Sequence, residues 1–387
     1  METNLPDKLD DMINTLNARF FERDSEIEAL LIAVLARQHI LMIGPSGTAK
    51  SALVMELSKL IKGTDYFQWL LTRFSTPEEL FGPLSLKDLE KGVYKRNTET
   101  KMPEAHLVFL DEIFKANSAI LNSLLTILNE RYFYNDGSPV KVPLMSVIGA
   151  SNEYPEEGEG LDALFDRFLL RFEVDYIADD GNFISMMKHS GTDEPAPVMT
   201  LEELIQLQEM AERMVIQDDV YTALSKIRNE LRDEGIRPSD RRFKQSLCVL
   251  KARALLQKRQ SVLMEDLVIL EHSLWETPDQ KDAVSSIVRR HAQDAVIRML
   301  ETIQHEANEM LQKAAQDKSE EYGLEASEKM KRLKEDLNRL RAQYEDRSVE
   351  IEILLHKVNA MQQDIILSTM YGDGEAEKGP SGIFYRM

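Results

Sequence analysis

Cysteine is nearly missing from this chain. One residue, Cys248, occurs in 387, so no internal disulfide can form and packed cores must hold the fold. The length allows two or three domains, each with a core of its own. Cys248 lies in the helical pattern RRFKQSLCVLKARALL, where a small buried apolar side chain is expected rather than a reactive thiol. No run of about 20 apolar residues occurs, which is the length a membrane-spanning helix needs. The first residues, METNLPDKLDDM, are acidic and polar rather than the charged-then-apolar pattern of a leader. Both features point to a cytoplasmic protein with no membrane partner. Basic charge is also short: 47 Lys and Arg stand against 67 Asp and Glu, a net charge of −20. Bulk binding to nucleic acid needs the opposite sign, and no strip of interleaved aromatic and basic residues suits a single strand. Nucleic acid is therefore not an expected partner.

What is present begins at His39. HILMIG is a short apolar run suited to a buried strand, and SALVMELSKLI (51–61) has apolar residues at helical spacing. Between them, Gly44, Pro45, Ser46, Gly47, Thr48, Ala49, Lys50 and Ser51 form a strand-to-helix turn. Such a turn aims free backbone N–H groups and a helix N-terminus at one point, which makes an anion site. The pattern is that of a phosphate loop for ATP, with Lys50 on the terminal phosphates and the Ser51 hydroxyl on Mg2+. Ala49 departs from the pattern, which has glycine there.

A phosphate loop needs acidic residues on a neighbouring strand. HLVFLDEI supplies a buried strand at 107–110, then Asp111 to hold the metal ion and Glu112 to deprotonate the attacking water. PLMSVIGASNEY is a further apolar strand ending at Asn152, whose amide has the reach to orient the same water. LDALFDRFLLRFEVD presents Arg167 and Arg171, either of which would stabilise charge on a γ-phosphate if it reached a neighbouring subunit.

The order GPSGTAKS, VFLDEI, GASNEYPEE, LFDRFLLRF resembles the MoxR group of AAA+ ATPases. The stretch LLTRFSTPEELFGPLSLKDLEKG, with LNERYFYNDG after it, resembles the RavA branch of that group. The resemblance covers roughly residues 5–280. It implies Walker A roles for Lys50 and Ser51, Walker B roles for Asp111 and Glu112, and sensor one for Asn152. It implies an arginine finger at Arg167, with Arg171 as the alternative, and sensor two at Arg241, with Arg242 as the alternative one residue on. It also implies that 20–31 packs on the adenine, and that two insertions approach the pore of a hexamer. One insertion spans about 76–100 and the other is the hairpin around RYFYNDGSPVKVPL, whose NDG is itself a turn signal. The usual partner of the group is a separate protein with a von Willebrand factor A (VWA) domain, and the output is chaperone-like remodelling of a protein client. A nucleic-acid motor and a nucleotide-gated assembly scaffold are the alternatives.

The fold class expected is α/β: a P-loop AAA+ core with a parallel sheet over 1–178, an all-α lid over 179–280, and a C-terminal helical coiled-coil hairpin over 281–370. The hairpin rests on apolar positions that step by threes and fours from Val284 to Ala314. A heptad seam from Met330 to Ile365 follows, with Arg347 its one polar position. The Gly-rich, acidic end, 371–387, is expected to be a mobile tail.

Overall fold

The computed structural model describes residues 4–155, 161–188, 195–292, 295–316, 320–343 and 348–370. The expected tail, and Arg347 in the seam, lie outside them. The chain divides into two compact units, Met1–Ala292 and Gln293–Met387.

In the first unit, β1 (Ile40–Ile43), β3 (Tyr66–Leu70), β4 (Leu107–Asp111), β7 (Ser146–Ser151) and β8 (Leu170–Glu173) form a five-stranded sheet. Its order is β3-β4-β7-β1-β8, and every pairing is parallel. β1 is buried at all four positions, which is why HILMI reads as a continuous apolar run instead of an alternation. Two pairs of two-residue strands lie outside this sheet among the described residues: β2 (Ile61–Lys62) pairs with β9 (Met199–Thr200), and β10 (Val215–Ile216) pairs with β11 (Ser261–Val262). Helices α1 (Asp7–Asn17), α2 (Asp24–Leu35), α3 (Lys50–Lys59) and α6 (Ser118–Glu130) surround the sheet. α6 starts at Asn117, whose Oδ1 accepts the Ile120 N–H at 3.2 Å. It buries Ile120, Leu124, Ile127 and Leu128, one apolar stripe at helical spacing.

Both expected insertions are present. Between β3 and β4 lie α4 (Pro77–Phe81), opened by a Thr76/Glu79 capping box, and α5 (Leu86–Leu89). Gly82 is obligatory here, since a Cβ would fall 1.7 Å from the Asn97 carbonyl oxygen. The hairpin β5 (Tyr132–Asn135) and β6 (Ser138–Lys141) turns through Asp136 and Gly137, both with positive φ. Its turn is stitched to the first insertion: Asn135 Oδ1 accepts from the Arg96 N–H at 2.7 Å and Asp136 Oδ1 from the Tyr94 N–H at 2.9 Å.

α7 (Asp162–Phe165) and α8 (Asp180–Lys188) lead to the lid, built from α9 (Leu201–Glu212), α10 (Asp218–Asp233), α11 (Asp240–Leu256), a 3-10 run at Met264–His272 and α12 (Lys281–Ala292). α12 packs on the 3-10 run and buries Val284, Ile287 and Val288 in the same core. The boundary expected near 280 therefore moves to Ala292, because those apolar positions serve the lid. Cys248 corrects a second expectation: it is exposed on α11, not buried.

The second unit also differs from expectation. Among the described residues it holds three helices rather than a two-helix hairpin: α13 (Ala295–Gln316), α14 (Glu320–Gln343) and α15 (Ser348–Met370), each packed on the other two. Seven of the seam residues are buried, but Met330, Leu333 and Leu337 belong to α14 while Ile351, Leu354, Val358 and Ile365 belong to α15; Leu340 and Met361 are half-buried. Ile303, Ala307 and Ala314 of α13 complete this core. Leu337 is fully buried, so Leu337→Ala should lower the stability of the bundle by about 2–5 kcal/mol. The urea midpoint followed by circular dichroism checks this, and an unchanged midpoint would show that Leu337 is not a core residue.

Candidate nucleotide-binding site

Parallel pairing brings the carboxyl ends of β1, β4 and β7 to one edge of the sheet, where ligands of open α/β sheets bind. From β1 the chain enters the loop at Gly44. Its ideal Cβ would lie 1.9 Å from the Val174 carbonyl oxygen, so no side chain fits. Gly47 (φ 86°) and Ala49 (φ 64°) both take left-handed backbone. Glycine does so freely, while Ala49 carries a steric cost of roughly 1–2 kcal/mol at the position where the motif has glycine. α3 begins at Lys50. Its ammonium donates to Gly44 O at 2.7 Å, Pro45 O at 2.8 Å and Thr48 Oγ1 at 3.2 Å. Burial pulls this ammonium below lysine's usual range, against the pull of the Asp111 and Glu112 charges.

Asp111 closes β4, and Glu112 follows in left-handed backbone (φ 53°). The Asp111 Oδ1 accepts the Glu112 N–H at 3.0 Å. Burial raises the Asp111 carboxyl above its usual range; the Glu112 charge adds to this, and Lys50 and Lys115 oppose it. Asn152 Nδ2 donates to Glu112 Oε1, and Lys115 Nζ sits 3.1 Å from Oε2. The Ser46–Ser51 loop, Asp111, Glu112 and Asn152 line one cavity of about 280 Å3. A second cavity of about 370 Å3 shares Gly47, Thr48 and Ala49 with the first. Its walls are apolar: Phe20, Phe21, Tyr176, Ile177, Phe183 and Met186. A polar phosphate end thus continues into an apolar end of a size for a flat base.

The four arginines separate into two kinds. Arg171 is 2% exposed; it donates to the carbonyls of Phe168 (3.2 Å), Phe165 (3.2 Å) and Trp275 and lies 3.9 Å over the Phe165 ring. Arg242, also 2% exposed, donates to Ser273 O at 2.8 Å and Asp166 Oδ1 at 2.8 Å. Both are spent on holding the lid to the core. Arg167, whose side chain is 20% exposed, and the exposed Arg241 are the other kind. Among the described residues Arg167 pairs with its neighbour Asp166, at 2.9 Å, and its buried Nε has no hydrogen-bond partner there. Arg241 is exposed and donates to Asn129 Oδ1 at 2.7 Å. Neither lines the phosphate cavity of its own chain.

Residues 7–212 match the family described as the MoxR domain in MoxR–vWA–β-propeller ternary systems, and 219–288 match an AAA lid domain. The chain belongs to the MoxR family of AAA+ ATPases. Two uncharacterized proteins of Methanocaldococcus jannaschii are 41% and 42% identical to it, over 73% and 70% of this chain and 73% and 72% of theirs. The chaperone MoxR1 of Mycobacterium tuberculosis is 25% identical over 51% of this chain and 55% of its own. A solved structure of a candidate ATPase of Cytophaga hutchinsonii shares the fold, with a TM-score of 0.63 at 18% identity over 74% of this chain and 94% of that one.

Several residues that shape this MoxR site were not singled out from the sequence. Arg23 is buried and donates to Glu22 O at 2.6 Å and to Asp175 O. Glu22 accepts the N–H groups of Ala178 (2.8 Å) and Asp179 (2.9 Å) and the Asn182 amide (3.0 Å), which hold its carboxyl below the usual range. Together they tie the start of α8 to the apolar end of the site. Tyr154, two residues past Asn152, donates to Glu173, and Lys281 of α12 donates to the Tyr154 hydroxyl at 2.6 Å. The contacts that tie Arg23 to Asp175, Glu22 to 178–182 and Tyr154 to Lys281 each span more than 100 residues, so no local spacing marks them. The division of the arginines is testable. Arg171→Met strips three buried carbonyls of a donor and should cost at least about 2 kcal/mol. Arg167→Met should stay within about 0.5 kcal/mol. Thermal unfolding of the two variants distinguishes them, and equal losses would contradict the division.

Proposed function

We propose that this MoxR protein is a ring-forming, chaperone-like ATPase that hydrolyses Mg–ATP between subunits and uses the lid to remodel protein clients. The observation that carries this is the joined pair of cavities, with loop N–H groups, Lys50, two carboxylates and one amide around the polar end. Ser51 and Asp111 offer the oxygen donors that a hard divalent ion takes, so the site suits Mg2+. The ion, when bound, offsets charge on the β- and γ-phosphates. Phe20, Phe21, Tyr176 and Ile177 sandwich the adenine. Lys50 leaves the loop carbonyls for the γ-phosphate. Glu112 accepts the proton of the attacking water, and Asn152 orients that water while holding the carboxylate in place.

Arg167 and Arg241 are the groups left for a neighbour's γ-phosphate, since they lie near each other, are less buried than Arg171 and Arg242, and stand outside their own site. This geometry favours a closed ring of six copies over a monomeric enzyme. The family description, with its vWA and β-propeller components, supports a separate VWA-domain partner. The TRFSTPEE and LNER segments favour a RavA-like branch. No helix among the described residues is long and apolar enough to cross a membrane, in keeping with a cytoplasmic machine.

Glu112→Gln should bind ATP with unchanged affinity and hydrolyse it at least about 100-fold more slowly. Lys50→Ala should lose ATP binding. Wild-type turnover by Glu112→Gln, measured as phosphate release, would remove the proposed chemistry.

A further inference from the structure

A third cavity, of about 560 Å3, opens where the end of α2 meets α9, α10 and α11. Its lining joins apolar Leu35, Ala211, Ile216 and Leu247 to charges of both signs, Arg37, Lys244 and Lys251 with Glu209 and Glu212, and Lys251 Nζ donates to Glu212 O at 2.7 Å. Lys244, Cys248 and Lys251 follow Arg241 on α11 at intervals of three, four and three residues, so all four share one face of the helix. The groove therefore lies along the same α11 face as Arg241, the residue assigned above to a neighbour's ATP.

A matching surface flanks the nucleotide site. α8 buries none of its nine residues. Phe183 and Met186 line the apolar end of the site, while Ile184 and Met187 beside them are 45% and 60% exposed. An isolated helix this short is not stable in water, and an amphipathic helix gains its stability by packing its apolar face. α8 is acidic at its start, with Asp179 leading into Asp180, and basic at Lys188. It thus offers both signs of charge to a groove whose lining carries both.

We propose that α8 of one copy seats its Ile184 and Met187 in the α11 groove of the next copy. The inference rests on the ring reading above. The contact is heterologous, one surface against a different one, so it propagates from copy to copy until a ring closes. It also couples the two halves of the ATP site. The helix that closes the base pocket docks on the helix that carries Arg241, so nucleotide in one subunit reinforces its contact with the next. The opposed charges give the pairing its direction and make assembly salt-sensitive.

The single native cysteine provides the test. Met187→Cys in the full-length Glu112→Gln chain places one thiol on each surface. With ATP and Mg2+, a short bis-maleimide should then yield a ladder of covalent dimers, trimers and larger species. The ladder should vanish when Cys248→Ser is added, and the chain without Met187→Cys should stay uncrosslinked. If light scattering shows assembly and no ladder forms, the contact is wrong while the ring stands. Crosslinking that stops at dimers, or that needs only Cys248, also overturns it. A chain that remains monomeric in ATP overturns the contact and the ring together.

Discussion

The chemistry of this molecule depends on β1 being locked in register between two neighbours. Ile43 is level with Ser151 on one side and with Glu173 on the other. The phosphate loop, the Asn152 tip and the Glu173–Val174 corner therefore leave the sheet at one height. The Val174 carbonyl then closes on Gly44 so tightly that only glycine is admitted. With β4 paired beside β7, Asp111 and Glu112 join the same edge. Slipping β1 by one residue would exchange the side chains on its two buried faces and move the loop away from both carboxylates.

The lid is held by a different interaction. Two buried guanidinium groups, Arg171 and Arg242, spread their donors over carbonyls of the 165–169 segment and of the Ser273–Trp275 corner. A buried arginine is tolerable because its planar fork satisfies several acceptors at once. The cluster fixes α7, α11 and the end of the 3-10 run as one piece. Arg167 and Arg241 lie next in sequence to that piece and stay less buried, Arg241 exposed and Arg167 20% exposed. Asp166 joins the two sets, accepting from Arg167 and Arg242 together.

The parts of the site that could be read from the sequence are those whose partners are close in the chain. The 44–51 loop, the Asp111–Glu112 pair and the Asn152 strand end each carry their own strand or helix context, and the structure brings all three to one cavity. The arginines could not be resolved in that way. Arg241 and Arg242 are adjacent on α11, and which of them faces the core depends on Asp166 and Ser273, which no periodicity reveals. Cys248 was misjudged because the α11 stripe that carries it faces a groove instead of the core. The C-terminal bundle misled for a related reason. The heptads of α14 and α15 stay in phase across the break between them, since both helices face one core, so the pattern read as a single long helix. The α12 residues Val284 and Val288 kept helical spacing but packed on the lid. Both insertions were expected from the family resemblance, and only the second carried its own turn signal, the Asp136–Gly137 pair; the need for Gly82 beside Asn97 shows only in the structure.

The central claim is that the site is completed by a neighbouring copy. The most direct measurement is ATP turnover on mixing two inactive variants. Lys50→Ala offers a sound Arg167 and an empty site; Arg167→Ala offers a sound site and no finger. Mixed rings contain interfaces where both sound halves meet, so phosphate release should recover to a substantial fraction of the wild-type rate as the two are combined. Co-assembly without any recovery would contradict the claim and place the missing cation within the chain itself.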